Sequence, residues 1–341
     1  MSVFVTGATG FLGKHVVNEC LEKNYSVIAA VRTQDKGDAL VKQFNNPRLT
    51  TVAIGDLEKL DAFEETFKTH GKDIKFVIHC ASPAKWDIDS YEKDLLIPAR
   101  NGVLGILESI KKYAADSVER FVMTSSFMTL TDFSKIQDSS VTFNEDSWNP
   151  TTWESCQTDP LSAYAGSKTF AEKEAWKFYK ENKDIVKFKL STVIPSYIFG
   201  PQVFDEDVHE HLNASNETIN QIIHATKMED ISPLSTQCCH VRDVAKSHVL
   251  AIEEENLANE RLFVTSGAFD VQDILNYLNA DFPQLEGKIP IGSPDKAVEH
   301  HPPGAVVDNK KTRELLGFQL RTLKDCIDDT TIQVLKHEGR L

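Results

Sequence analysis

The chain is 341 residues long, 41% hydrophobic and 26% charged, with 37 Lys and Arg against 51 Asp and Glu and a net charge of −14. That length predicts roughly two domains, or one large domain with an appended lobe. The acidic balance excludes the basic footprint of a nucleic-acid binder and suits an anionic membrane surface poorly, and six cysteines without CxxC or finger-like spacing indicate reduced thiols rather than a disulfide framework or structural zinc.

The first residues, Met1-Ser2-Val3-Phe4-Val5-Thr6-Gly7, read as a strand running into a glycine turn, with no basic and apolar leader. No apolar run approaches the length of a membrane span. A cytoplasmic protein is the expectation, and the two Asn-x-Ser/Thr matches at Asn213 and Asn216 read as chance occurrences. After the strand Ser2–Thr6 come a helix over Phe11–Lys23 and a strand over Tyr25–Val31. Further strands are predicted at Leu49–Ile54, Phe76–Cys80, Phe121–Thr124 and Lys187–Ile194, each with helical material before it, and at Arg261–Thr265 after a helix starting near Asp243. Lys75–Ala81 is nearly continuous apolar, as a strand covered on both faces requires.

This repeated β-α-β order predicts an α/β fold: a Rossmann-type, doubly wound parallel sheet with right-handed crossovers and a smaller, discontinuous C-terminal substrate lobe. The sheet domain is assigned to residues 1–195 plus about 240–266, and the lobe to 196–239 plus about 267–341, where Pro, Asn and acidic residues punctuate shorter helices. Asp132–Asp159 is a long polar stretch with Trp148, Pro150 and Trp153, expected to be a functional loop or lid.

Gly7-Ala8-Thr9-Gly10-Phe11-Leu12-Gly13 places three glycines between the first strand and the first helix. Gly7 permits a tight turn, Gly10 lets backbone approach a pyrophosphate, and Gly13 lets the helix pack closely on the strand. The helix N-terminus then offers unpaired N–H groups to phosphate. At the end of the second strand a carboxylate for the ribose 2′-hydroxyl is usual in NAD sites. Here Arg32 occupies that position, with Lys36 one turn on. A guanidinium forks a 2′-phosphate, so the expected cofactor is NADPH/NADP+. Asp56-Leu57, after the third strand, fits either a flank for the adenine or, at Asp56, a helix cap.

Tyr164-Ala165-Gly166-Ser167-Lys168 sets a phenol and an ammonium four residues apart, on one face of a helix. A nearby ammonium favours phenolate, which predicts a tyrosine pKa below its ordinary value of about 10. Thr124-Ser125-Ser126-Phe127 closes a predicted parallel strand, at the edge where ligands bind in open α/β sheets. A hydroxyl there can hold a carbonyl oxygen beside Tyr164, and strand alternation sends Ser125 and Ser126 to opposite sides without choosing between them.

Taken in order with Arg32, these signals resemble the extended short-chain dehydrogenase/reductase family. Lys111-Lys112-Tyr113-Ala114-Ala115-Asp116-Ser117-Val118-Glu119-Arg120, Glu145-Asp146-Ser147-Trp148-Asn149-Pro150, Thr152-Trp153-Glu154-Ser155-Cys156-Gln157 and Phe199-Gly200-Pro201-Gln202 narrow the likeness. They resemble the group of yeast NADPH-dependent methylglyoxal and aldehyde/ketone reductases, itself similar to dihydroflavonol reductases. Val241-Arg242-Asp243-Val244-Ala245 and Leu315-Leu316-Gly317-Phe318 extend the likeness nearly end to end.

The resemblance implies NADPH-dependent carbonyl reduction by a Ser–Tyr–Lys triad: Ser126 positions the carbonyl, Tyr164 donates the proton, and Lys168 lowers its pKa and binds the nicotinamide ribose. It places Gly7, Ala8, Thr9, Gly10, Phe11, Leu12, Arg32, Lys36, Asp56, Leu57, Ile198 and Ser215 on cofactor-contact positions. Motif adjacency and family position suggest Ala84, Trp86, Phe127, Thr131, Leu161, Ser196 and Tyr197 for the substrate pocket. Three positions depart from the family pattern: Ala84 after Ser82-Pro83 where a bulky aromatic is frequent, Ile194 before Pro195 in place of asparagine, and His240 in place of the usual aspartate. A small Ala84 suggests room for bulky aryl ketones.

The expected partner is a small-molecule carbonyl substrate, with no nucleic acid and no membrane, in a monomer or homodimer. No metal is expected, because His209/His211 and His300/His301 lack a carboxylate or cysteine pattern that fixes coordination. Two rivals share the motifs. A sugar-nucleotide epimerase or dehydratase would carry Tyr-x-x-x-Lys, but dehydratases of that kind place an Asp-Glu pair where this chain has Ser125-Ser126-Phe127. A non-catalytic NADP-sensing regulator usually loses the Tyr or the Lys, and this chain keeps both.

Overall fold

The computed structural model describes residues 1–82, 88–296 and 304–341. In chain order it begins with β1 (Ser2–Thr6), α1 (Phe11–Glu22), β2 (Ser26–Val31), α2 (Gln34–Phe44), β3 (Leu49–Ala53), α3 (Glu64–His70) and β4 (Ile74–His79). One π-turn leads into α4 (Ile97–Tyr113), followed by β5 (Arg120–Thr124), β6 (Thr142–Phe143), α5 (Pro160–Asn182), β7 (Lys189–Pro195) and β8 (Tyr197–Phe199). The remainder is α6 (Asn216–His224), β9 (Ser235–His240), α7 (Val241–Glu253), β10 (Arg261–Val264), β11 (Gly267–Asp270), α8 (Val271–Asp281), β12 (Val306–Val307), α9 (Lys310–Leu316) and α10 (Leu323–His337).

Seven strands form one sheet in the order β10-β7-β5-β4-β1-β2-β3, and every pairing in it is parallel. The winding reverses between β1 and β4, so a crevice opens at the carboxyl ends of those strands. Phe76, Val77 and Ile78 of β4 are buried, because helices cover both faces. Residues of α1, α2 and α7 pack on one face, and Phe67 of α3, Ile106 of α4 and Phe178 of α5 pack on the other. Among the described residues no helix is long and apolar enough to cross a membrane.

A second core lies around a three-stranded sheet, β11-β9-β8, where Phe199 and Phe269 meet side chains of α6, α8 and α10. One part of the C-terminal segment assigned to this lobe behaves otherwise. Residues 304–316 return to the large domain, since β12 pairs with β6 and Phe263 of β10 donates its backbone N–H to Thr312 Oγ1 at 2.8 Å. Asn309 Nδ2 donates to the Thr265 carbonyl at 2.8 Å, and the Thr312 N–H donates to Glu145 Oε1 at 2.9 Å. Buried polar groups with partners only in the sheet domain draw this stretch back, against the expected boundary.

His240 keeps the role an aspartate would serve. It is the N-cap of α7, its Nδ1 accepting the Arg242 backbone N–H at 3.1 Å. Burial, with Arg321 and Arg242 nearby, pushes its pKa down to about 3, so the ring stays a neutral acceptor.

Candidate active site

The crevice begins at the glycine turn after β1. Gly7 has φ +69° and lies against the end of β4, where an added Cβ would stand 2.8 Å from Ala81 N. Gly10 is the N-cap of α1, and among the described residues no side chain bonds the first N–H groups of the helix and no acidic residue lies in its first turn. Those free N–H groups and the helix dipole favour an anion there. A Cβ on Gly13 would fall 2.0 Å from the Gly7 carbonyl oxygen, so only glycine lets α1 sit this close. The Gly13→Ala variant is therefore expected to lose about 1–3 kcal/mol or more of stability by overpacking, read as a lowered melting temperature with weakened dinucleotide binding.

Ala8 and Leu12 are buried, Phe11 is half-buried edge-on to His15, and Thr9 is exposed. Thr9 shares a cleft with Lys14, Lys36, Lys42 and Asp207. Arg32, first residue after β2, and Lys36 in α2 are both exposed, which leaves two cations at the end of the strand beside the glycine turn. Asp56 follows β3 and accepts the Glu58 N–H at 3.0 Å in a local turn, while Leu57 packs into the core beneath α4. Ile198, on β8, and Ser215, at the N-terminus of α6, join each other through the Ser215 hydroxyl and the Ile198 carbonyl.

The catalytic candidates converge from β5 and α5. Asp159 caps α5, its Oδ1 accepting the Ser162 N–H at 2.9 Å, and the helix then carries Tyr164 and Lys168 on one face. At the end of β5 the alternation sends the two serines apart. Ser125 Oγ donates to Glu172 at 2.5 Å, whereas Ser126 Oγ accepts the Met128 N–H at 3.3 Å and hydrogen-bonds the Tyr164 phenol. Ser126 is thus the hydroxyl that faces the tyrosine. Lys168 is buried and donates from Nζ to the Thr124 carbonyl at 3.1 Å, which anchors the ammonium to the strand end behind the phenol.

The electrostatics differ from the expectation at Tyr164. Burial raises the phenol above its ordinary pKa, and the Ser126 hydrogen bond only partly offsets this. Burial also lowers Lys168 to about 8, against the opposing pull of Glu172 and Cys80. At the tyrosine, desolvation by burial outweighs the favourable contacts and decides the sign. Two histidines behind the site are neutral: burial pushes His79 down to about 3 and His248 down to about 4. His248 Nδ1 donates to the Val244 carbonyl and Nε2 accepts the Thr124 hydroxyl at 2.7 Å, so no second cation competes with Lys168 from that side.

The residues named for the substrate pocket are dispersed. Ala84 and Trp86 lie outside the described residues. Phe127 stacks on Phe263 at 5.2 Å between ring centres within a buried cluster, and Thr131 is buried with its hydroxyl on the Phe127 carbonyl. Leu161 is exposed in the first turn of α5. Ser196 is buried at the end of β7, where its backbone N–H donates to the Val264 carbonyl at 3.1 Å. Tyr197 packs edge-on to Phe199 with its hydroxyl 3.2 Å from Thr218 Oγ1. Sequence reasoning missed Glu172 and Arg261, although Glu172 repeats the four-residue spacing of Tyr164 and Lys168 once more along the helix.

This arrangement has counterparts among known proteins. The chain is 53% identical, over all of both chains, to an NADPH-dependent methylglyoxal reductase of Saccharomyces cerevisiae. It is 37% identical to a putative NADPH-dependent methylglyoxal reductase of Candida albicans, over 98% of each chain. The crystal structure of yeast methylglyoxal/isovaleraldehyde reductase complexed with NADPH superposes over the full length of both chains with a TM-score of 0.97. Residues 3–264 match the sequence profile of the NAD dependent epimerase/dehydratase family, and the chain belongs to that family.

Proposed function

We propose that the chain is an NADPH-dependent carbonyl reductase that converts aldehydes and ketones to alcohols. The observation that carries this reading is the Ser126–Tyr164 hydrogen bond at the carboxyl edge of the sheet, with Lys168 anchored behind it. The cofactor fits the residues present: Gly7 and Gly13 hold a turn no side chain could enter, the uncapped first turn of α1 suits a pyrophosphate, and Arg32 and Lys36 suit a 2′-phosphate. The chemistry that such a cofactor supplies is a hydride for the carbonyl carbon.

The chain's own groups handle the oxygen. Ser126 and Tyr164 donate hydrogen bonds to it, which stabilises the negative charge that develops there. Tyr164 then surrenders its proton, forming the alcohol and leaving a phenolate. The buried Lys168 ammonium is the cation positioned to stabilise that phenolate. Raised by burial, the phenol stays protonated until the oxygen becomes basic, as a general acid requires. Consumption of NADPH against a panel of small aldehydes, bulky aryl ketones and nucleotide sugars tests the reading, with the alcohol identified as product. The small Ala84 predicts that the aryl ketones are reduced.

The pH dependence follows from the lysine. Lys168, lowered to about 8, is charged below that pH and loses its proton above it. The alkaline limb of kcat/KM is therefore expected near pH 8, well below where an exposed lysine would place it. A pH–rate profile that stays flat to about pH 10 would remove the ammonium from the mechanism.

A further inference from the structure

One buried carboxylate takes no part in the steps above. Glu172 lies on α5 one helical turn beyond Lys168 and is wholly inaccessible. Each of its oxygens is fully engaged. Oε2 accepts from Ser125 Oγ at 2.5 Å and Thr129 Oγ1 at 2.9 Å. Oε1 accepts from Thr192 Oγ1 at 2.9 Å and from Arg261 Nε at 2.8 Å. Arg261 in turn lies 3.7 Å from the centre of the Trp148 ring and donates to the carbonyls of Glu145 and Ser147. One ion pair thereby ties the catalytic helix, the end of β5, the middle of β7, β10 and the loop around Trp148.

Such a pair does not explain itself as a stabiliser, because desolvating two charges offsets most of their attraction. Its contacts are directional, and two of them end on the hydroxyls flanking the Ser126 turn. We propose that Glu172 is a positioning residue for the reduction: through Ser125 and Thr129 it fixes the turn that presents Ser126, and it sets a buried carboxylate one helical turn from Lys168. This rests on the reading of Tyr164 and Lys168 given above. Among the described residues, Lys168 shares its helix face with Tyr164 and Glu172 and interacts with Cys80 and His79 at the end of β4 and with His248 of α7. With both histidines neutral and the Cys80 thiol pushed up to about 11 by burial, Glu172 is the standing negative charge among them. Arg261 and Lys173 face Glu172 itself, and it stays ionised: burial alone would raise its pKa, but Arg261 and the hydroxyls that bond it bring it below the usual value.

The Glu172→Gln variant keeps the shape and removes the charge. Lys168 then loses its proton at lower pH, so the alkaline limb of kcat/KM is expected to move about one unit toward acid and kcat to fall about tenfold. NADPH affinity measured by fluorescence across the same pH range reads that proton without turnover. If no carbonyl consumes NADPH in the parent protein, the reductase reading fails, while a shifted binding limb would still support the role of Glu172. A limb unmoved in a protein that melts like the parent overturns the proposal. Should Glu172→Gln not fold, the double variant Ser125→Ala with Thr129→Val leaves the Arg261 pair intact and removes both ties to the turn. It is expected to lower kcat about three- to tenfold at unchanged NADPH affinity, and an unchanged kcat overturns the proposal.

Discussion

Tyr164→Phe is expected to lower carbonyl turnover at least about 100-fold while leaving NADPH binding largely intact. The substitution keeps the ring and its packing and removes one hydroxyl, the atom that Ser126 bonds. Two contributions vanish together. The proton that completes the alcohol has no donor, and the developing oxyanion keeps only the hydrogen bond from Ser126. Because both act in the transition state, kcat should fall much more than KM rises. Steady-state rates beside a fluorescence titration of NADPH separate these effects. A variant turning over within about tenfold of the parent would mean that protonation comes from elsewhere.

The second large effect is expected at Arg32. Arg32→Asp replaces an exposed guanidinium after β2 with the carboxylate that suits a free 2′-hydroxyl. The loss of a bidentate, charge-assisted contact together with a new repulsion amounts to about 3 kcal/mol or more, or about 100-fold in KM for NADPH. KM for NADH should stay level or improve. Comparing the two cofactors in both proteins checks this directly, and an equal loss for both would mean that Arg32 serves the fold and not the phosphate.

What could be read from the sequence was local. Gly7 to Gly13 and the apolar run of β4 encode their surroundings in consecutive residues, and the Tyr164–Lys168 spacing needs only a helix to bring the pair together. The small sheet was invisible, because Ser235–His240 of β9 is a polar run without alternation and is held by pairing with β8 and β11. The return of residues 304–316 to the large domain depends on Asn309 and Thr312 meeting groups far away in the chain, which no periodicity records. The same limit explains the tyrosine. Spacing revealed a cation near Tyr164, while the burial that outweighs it and the Thr124 carbonyl that holds Lys168 exist only in the folded molecule.

On the mechanism proposed, a carbonyl oxygen takes its proton from Tyr164 in a cleft that suits NADPH. The most direct test is the stoichiometry of NADPH consumed to alcohol formed with aldehyde and ketone substrates, run beside nucleotide sugars. One alcohol is expected for each NADPH oxidised, at a rate that collapses in Tyr164→Phe. Conversion of a nucleotide sugar without net consumption of NADPH, or bound NADPH that no carbonyl oxidises, would contradict this mechanism.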